Sequence, residues 1–184
     1  MNTQLMCAGA LALGLLGGGT AQAREARQVV HEVTVHASSE VLWNHWTTLH
    51  GLQTLFVPPE PPLQGKVELR PNGPYELYFL MDNPEGLRGG EDSRIIAYQD
   101  RRMLSFTWRN TPHWKIRPFL THVVVTFEEL SPSQTRLRLA QSGFGDGGEW
   151  DVAYDYFNAA WARVLNRLVT RYGGEQVAAG TDRS

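Results

Sequence analysis

The chain has 184 residues, long enough for one domain with a sizeable core. Lys and Arg number 17 against 19 Asp and Glu, a formal net charge of −2, so charge favours neither nucleic acid nor an anionic membrane as a partner. Six Trp, six Tyr and seven Phe are compatible with a dense aromatic core or with an aromatic-lined cavity.

The first residues read as a secretory signal. An apolar run from Cys7 to Leu16 is broken by Gly17 to Gly19, and Ala21-Gln22-Ala23 offers a small-x-small cleavage site. Residues 1–23 are therefore expected to be a signal peptide and Arg24 the mature N-terminus, although no Lys or Arg precedes the apolar run. That run is well short of the ~20 residues that span a bilayer. Cleavage removes Cys7, the one cysteine, and with it any disulfide, thiol nucleophile or cysteine-based metal site. The expectation is an exported protein, periplasmic or secreted.

Val29 to Val35 alternates as a strand does. Ser38 or Ser39 then caps a short helix with Glu40 in its first turn, and Val41, Leu42 and Trp46 face inward. A second helical segment runs from Leu49 to Phe56, and the prolines of Val57 to Pro62 make a rigid extended connector. Strands follow at Lys66–Arg70, Tyr75–Met81, Asp92–Gln99, Met103–Arg109, Thr121–Leu130 and Thr135–Gln141. Between them lie a turn at Pro71–Pro74, a loop at Asp82–Gly90 and an irregular two-proline segment at Asn110–Phe119.

After Gly143, Gly145, Gly147 and Gly148 comes the longest helix. Tyr154, Phe157, Trp161, Val164, Leu165, Leu168 and Tyr172 recur at spacings of three and four, an apolar stripe. Asp151 and Asp155 sit early and Arg163, Arg167 and Arg171 late, which suits the helix dipole. Asp146 or Glu149 is expected to cap the helix, Gly173 and Gly174 to end it, and residues 175–184 to be a disordered tail.

A strand, two short helices, a run of antiparallel strands and one long helix imply an α+β domain over residues 24–174, with a curved antiparallel sheet wrapped around the last helix. Sheet and helix cannot touch along their whole length, so a cavity tends to remain between them. Alternation turns Tyr75, Leu77, Phe79, Leu104, Phe106, Trp108, Val123, Val125, Phe127, Leu137, Leu139 and Gln141 inward.

Several segments carry a family resemblance together: Ser39-Glu40-Val41-Leu42-Trp43, Arg70-Pro71-Asn72-Gly73-Pro74-Tyr75, Leu104-Ser105-Phe106-Thr107-Trp108, Thr135-Arg136-Leu137-Arg138-Leu139, Gln141-Ser142-Gly143-Phe144, and Trp161 to Leu168. In order and spacing the chain resembles the START-like (SRPBCC) superfamily, in the branch related to activators of heat-shock-protein ATPase. The resemblance covers Val29 to Tyr172 and implies the helix-grip fold and a ligand-binding habit. Two departures stand out. Leu55 and Phe56 occupy a place where relatives often carry a Trp pair, and Gln141 stands where relatives often have His, which keeps hydrogen bonding but loses proton transfer. An exported chain would also not meet a cytosolic chaperone.

The expected cavity walls are Phe79, Phe106, Trp108, Phe127, Tyr154, Phe157 and Trp161, with Gln141 orienting a polar group of the ligand. Gly86, Trp114, Phe119 and Phe144 are candidate gates. Trp114, Ile116 and Phe119 beside His113, Lys115 and Arg117 also suit peripheral contact with a lipid surface. None of the six histidines forms a short metal-ligand spacing, and Ser142 is in no nucleophile elbow, so neither a metal nor a catalytic residue is assigned. Arg94, Arg109, Glu76 and Glu128 read as solvated strand residues or as charges turned into the cavity.

The function expected is that of an exported, non-catalytic protein holding a small hydrophobic or amphipathic molecule or lipid, without cofactor. The alternatives are a cyclase, dehydratase or hydrolase of the same superfamily, and a co-chaperone-like interaction module of the cell envelope. The oligomeric state is open.

Overall fold

The fold was analysed in a computed structural model, which describes residues 27–56 and 62–177. The signal segment, residues 57–61 of the proline connector, and residues 178–184 of the tail lie outside the described residues.

The chain runs β1 (Val29–Val35), α1 (Ser39–Thr47), α2 (Leu49–Phe56), β2 (Gln64–Val67), β3 (Tyr75–Tyr78), β4 (Ile95–Gln99), β5 (Met103–Arg109), β6 (Leu120–Ser131), β7 (Gln134–Ser142), α3 (Glu149–Tyr172) and β8 (Gly174–Val177). Six strands form an antiparallel sheet in the order β4-β5-β6-β7-β1-β8, and β2 and β3 make a separate hairpin. Bridges from Pro74 to Arg94 and from Tyr78 to Gly89 fasten β3 to the chain ahead of β4. This is the α+β architecture expected, with two short helices after the first strand and a long helix at the end.

Period-two alternation sets the register. Val33, Leu137 and Phe127 lie abreast across β1, β7 and β6; Leu104, Val125 and Leu139 across β5, β6 and β7; and Phe106, Val123 and Gln141 one step along the same three strands. All of them are buried, and a register slip of one residue would turn each row to solvent. Onto this face α3 lays Ala153, Phe157, Trp161, Val164, Leu165 and Leu168, all buried. Each large side chain buried here contributes ~1.5–3 kcal/mol.

The twelve residues expected to face inward are buried with one exception: Phe79 is 37% exposed, because β3 stops at Tyr78 and the chain leaves the sheet there. Strand bounds shift for local reasons. β4 begins at Ile95 rather than Asp92, since Asp92 has a positive φ of 59° and belongs to a turn. In α1, Ser38 is the cap, its hydroxyl accepting from the Val41 N–H at 3.3 Å, while Ser39 donates to Glu129 at 2.8 Å. Val41, expected inside, is 38% exposed, and Trp43 takes the buried position.

Two expectations about α3 are corrected. Its N-cap is Gly148, with φ 55° and no side-chain cap; the Glu149 carboxylate instead accepts from the Ile116 N–H at 3.2 Å. At the other end, Glu175 to Val177 are not a loose tail. Gly173 ends the helix, and β8 turns back to pair with β1, Gly174 opposite Val35 and Val177 opposite Glu32.

Candidate functional site: an aromatic cleft between sheet and last helix

A cleft of about 570 Å³ opens between α3 and the β5 end of the sheet. Its floor is a group of rings drawn from four elements. Phe56 ends α2, Phe79 follows β3, Trp108 sits near the end of β5, and Trp161 lies at the middle of α3. Phe56 stacks on Trp108 with centroids 5.8 Å apart, Trp108 lies 5.5 Å from Trp161, and Phe56 meets Trp161 edge-on at 5.7 Å. Phe79 joins at 5.8 Å from Phe56 and 6.5 Å from Trp108. Such tilted and offset pairs add ~0.5–1.5 kcal/mol each beyond the area they bury, which stabilises the floor.

A buried chain of hydrogen bonds ties the Trp161 ring to the backbone of Trp108. The Trp161 indole N–H donates to Gln141 Oε1 at 2.6 Å. Gln141 Nε2 donates to Thr121 Oγ1 at 2.7 Å, and the Thr121 hydroxyl donates to the Trp108 carbonyl at 3.0 Å. Gln141, Thr121 and Trp161 are almost fully excluded from solvent. Gln141 thus spends its amide on holding the helix ring to the strand, and it is not part of the cleft surface.

The walls come from two loops and the helix. Thr111, Pro112, His113 and Trp114 form one side; Leu80, Gly89 and Gly90 form the other. Gly89 has φ +132°, and a Cβ there would meet the Phe79 ring at 2.8 Å, so glycine lets this loop close on the aromatic floor. Tyr156, Phe157, Ala160, Trp161, Arg163, Val164 and Arg167 supply the helical wall. Trp114 stands edge-on to Tyr156 at 5.5 Å and to Phe157 at 6.2 Å, closing one end.

The two loops are tied together by a buried arginine. Arg117 donates to the carbonyls of Gly86, Gly89 (3.1 Å) and Asn110 (2.6 Å), and lies 3.4 Å from the Glu91 carboxylate. Burial lowers the Arg117 pKa, with the nearby charge of Arg109 acting in the same direction and Glu91 and Asp92 opposing it. Glu91 also takes Arg88 at 2.8 Å and the backbone N–H groups of Gly86 and Arg88. Burial works to raise the Glu91 pKa, but these hydrogen bonds and the Arg88 charge outweigh it and the net direction is down. Asn110 clamps the base of its own loop by donating to the Ile116 and Phe119 carbonyls.

Of the residues expected to form the cavity, Phe79, Trp108, Phe157 and Trp161 line the cleft together. Phe106 lies below it in the core, 4.4 Å from Tyr75. Phe127 is at the far end of the domain, edge-on to Trp43 at 5.6 Å, beside a polar depression bounded by Ser39, Asp100 and Glu129. Tyr154 packs against Phe144 at 5.4 Å, outside the lining. Among the expected gates, Trp114 is in the wall. Gly86 offers its carbonyl to Arg117, Phe119 is exposed against Trp150, and Phe144 packs behind the start of α3.

Arg109, the ambiguous strand arginine, reaches the cleft rim but is held by Asp92 at 2.9 Å and by the Glu91 and Arg117 carbonyls. Arg94 lies 4.0 Å from Glu76, and Glu128 pairs with Arg136 at 2.8 Å. Sequence reasoning missed Phe56 and Arg163, and it placed Arg117 and Ile116 in a segment suited to lipid contact, whereas both are buried. Phe56 was signalled by its position where relatives carry Trp. Arg117 gave no signal, because a buried arginine in an irregular loop reads like a solvated one.

Chemically, the cleft offers aromatic surface below and cations and a few donors at the rim. Among the described residues no group of three His, Cys, Asp or Glu side chains is placed to hold a metal ion.

The family model for activator of Hsp90 ATPase homolog 1-like proteins matches residues 36–173. No curated protein sequence matches the chain. Among solved structures, a protein from Mesorhizobium loti (MLL2253) aligns with TM-score 0.58 at 21% identity, over 78% of this chain and 95% of that one. An HSP90 activator from Plasmodium falciparum aligns with TM-score 0.57 at 14% identity, over 83% and 99%. The Aha1 protein of Colwellia psychrerythraea, solved as a dimer, aligns with TM-score 0.53 at 18% identity, over 77% and 92%. At these identities the structures establish a shared fold. With the family model spanning α1 to the end of α3, the chain belongs to the family of activator of Hsp90 ATPase homolog 1-like proteins, within the START-like superfamily.

Proposed function

We propose that this chain is an exported, non-catalytic binding protein that holds a small hydrophobic or amphipathic molecule in the cleft between sheet and α3. The observation that carries the reading is the floor of Phe56, Phe79, Trp108 and Trp161 beneath a cleft of about 570 Å³. That volume lies within the range of small-molecule sites, and an apolar floor with polar groups confined to the rim matches how such sites are built. Export rests on the apolar run Cys7 to Leu16 and the cleavage site at Ala21 to Ala23.

An enzymatic reading would require a titratable group set against a bound molecule and oriented by a neighbour. His113 is the one imidazole on the wall, and among the described residues it has no hydrogen-bond partner to orient it. A second reading, a chaperone-activating module, is favoured by the family match and by the Plasmodium HSP90 activator of the same fold.

The test is native mass spectrometry of protein purified from an exporting host. The expected result is an N-terminus at Arg24 and a defined extra mass released on denaturation. Ala160→Trp, which fills the cleft from the helix side, should remove that mass and abolish the response of tryptophan fluorescence to 1-dodecanol. A clean apo mass together with no fluorescence response in the parent protein would overturn the binding reading. Stimulation of an Hsp90 ATPase by the Ala160→Trp variant as well would favour the chaperone module.

A further inference from the structure

The rim of the cleft is electrostatically one-sided. Arg109, Arg163 and Arg167 line it with His113, and among the described residues no Asp or Glu does. Arg109 is neutralised by Asp92 at 2.9 Å, and Arg167 donates to the Leu55 carbonyl at 2.6 Å, which ties α3 to α2. Arg163 is different. It is exposed, and among the described residues its side chain has neither an ion-pair partner nor a hydrogen bond.

The helix gives Arg163 no local reason to be there. Its neighbours one turn away are Ala159, Ala160, Asn166 and Arg167, so no acid pairs with it. With Arg167 and Arg171 it forms a ladder of like charges at i, i+4 and i+8, an arrangement that weakens a helix. The favourable interaction of cations with a helix C-terminus falls off within the last turn. Against the expectation from sequence order, it accounts for Arg171 and not for Arg163, which lies about two and a half turns from the end of α3.

We propose that the cleft selects an amphipathic anion. The apolar body lies over Phe56, Trp108 and Trp161, and a carboxylate or phosphate head sits at the rim against Arg163, with Arg167 reinforcing the local potential. A guanidinium is suited to this task, since its planar fork meets either head group with two parallel hydrogen bonds. This inference rests on the binding reading above, and sharpens it from apolar ligands in general to those with an anionic end.

The experiment compares ligands with one twelve-carbon chain and different heads, at submicellar concentration, by quenching of the tryptophans that line the cleft. Dodecanoate and dodecyl phosphate should bind about tenfold tighter than 1-dodecanol, and dodecyltrimethylammonium more weakly than any of them. The anion preference should shrink as salt is raised, because the rim is solvent-exposed. Arg163→Gln, an exposed helix-compatible change, should bring dodecanoate to within about threefold of dodecanol without altering dodecanol affinity, and Arg163→Lys should restore most of the preference. The order of the two anions tells a carboxylate site from a phosphate site. Equal binding of dodecanol and both anions, or an anion preference unchanged in Arg163→Gln, would overturn the proposal while leaving the binding reading intact. Failure of dodecanol itself to bind would instead sink the binding reading.

Discussion

Gln141 shows how a single residue can be placed correctly and its role still lie elsewhere. Alternation along β7 turns it inward, and it is buried as alternation requires. Its carbonyl oxygen accepts from Trp161 and one of its N–H groups donates to Thr121, so it positions one of the cleft's indole rings from a buried place outside the cleft lining. Gln141→Leu should therefore leave the Trp161 N–H buried without a partner, at about 1–3 kcal/mol. Gln141→His keeps one acceptor and one donor and should cost less. Urea denaturation of the two variants checks the order, and equal midpoints would show that the Trp161 hydrogen bond contributes nothing. Arg117 and Arg163 mark the limit at this scale. Side-chain type alone did not separate an arginine buried among carbonyls from one left unpaired at a rim, because the difference lies entirely in what the fold brings to each.

At the scale of elements, the periodic segments were legible. β5 has the bounds its alternation predicts, and the stripe of α3 is the face that is buried, from Phe157 to Leu168. The exceptions are elements whose existence depends on a partner distant in sequence. β8 is four residues with no apolar pattern, and it forms because the free edge of β1 supplies unpaired backbone groups. Its entry requires Gly174, which has φ +125° and where a Cβ would stand 2.0 Å from the Thr34 carbonyl oxygen. Gly174→Val should detach β8, cost about 1–3 kcal/mol in stability, and speed amide exchange along Glu32 to Val35. Unchanged exchange there would mean that β8 does not protect the edge.

For the whole molecule, the junction of the three helices sets a pH limit. His45 Nε2 is 2.6 Å from the Tyr172 hydroxyl, and Nδ1 is 2.8 Å from Thr54 Oγ1, whose own proton goes to the Gly51 carbonyl. That pattern assigns one neutral tautomer: Tyr172 donates to Nε2, and Nδ1–H donates to Thr54. Burial lowers the His45 pKa; the hydrogen bond from its ring to the Gly51 carbonyl opposes this, and the charges of Arg171 and His50 add to it. The unfolded chain therefore takes up the proton first as pH falls. This contribution to stability is complete above the ordinary histidine value of about 6.5 and is lost as pH drops through the lower folded-state value. Thermal midpoints between pH 7.5 and 5 should fall more steeply for the parent protein than for His45→Gln. Parallel curves would remove His45 as the cause.

The sequence by itself determined the class of fold, the inward rows of the sheet and the apolar stripe of α3. These follow from periods of two and 3.6 residues that any stretch of chain carries within itself. Only the tertiary structure decided where the cleft opens. Phe106 and Phe127 share the inward alternation of Trp108, yet one is sealed in the core and the other lies at the opposite end of the domain. The cleft exists where α3 stands away from β5 and two loops, joined by Arg117 and roofed in part by Trp114, hold the gap. Separations of that kind are set by contacts between residues far apart in the chain, and no local period encodes them.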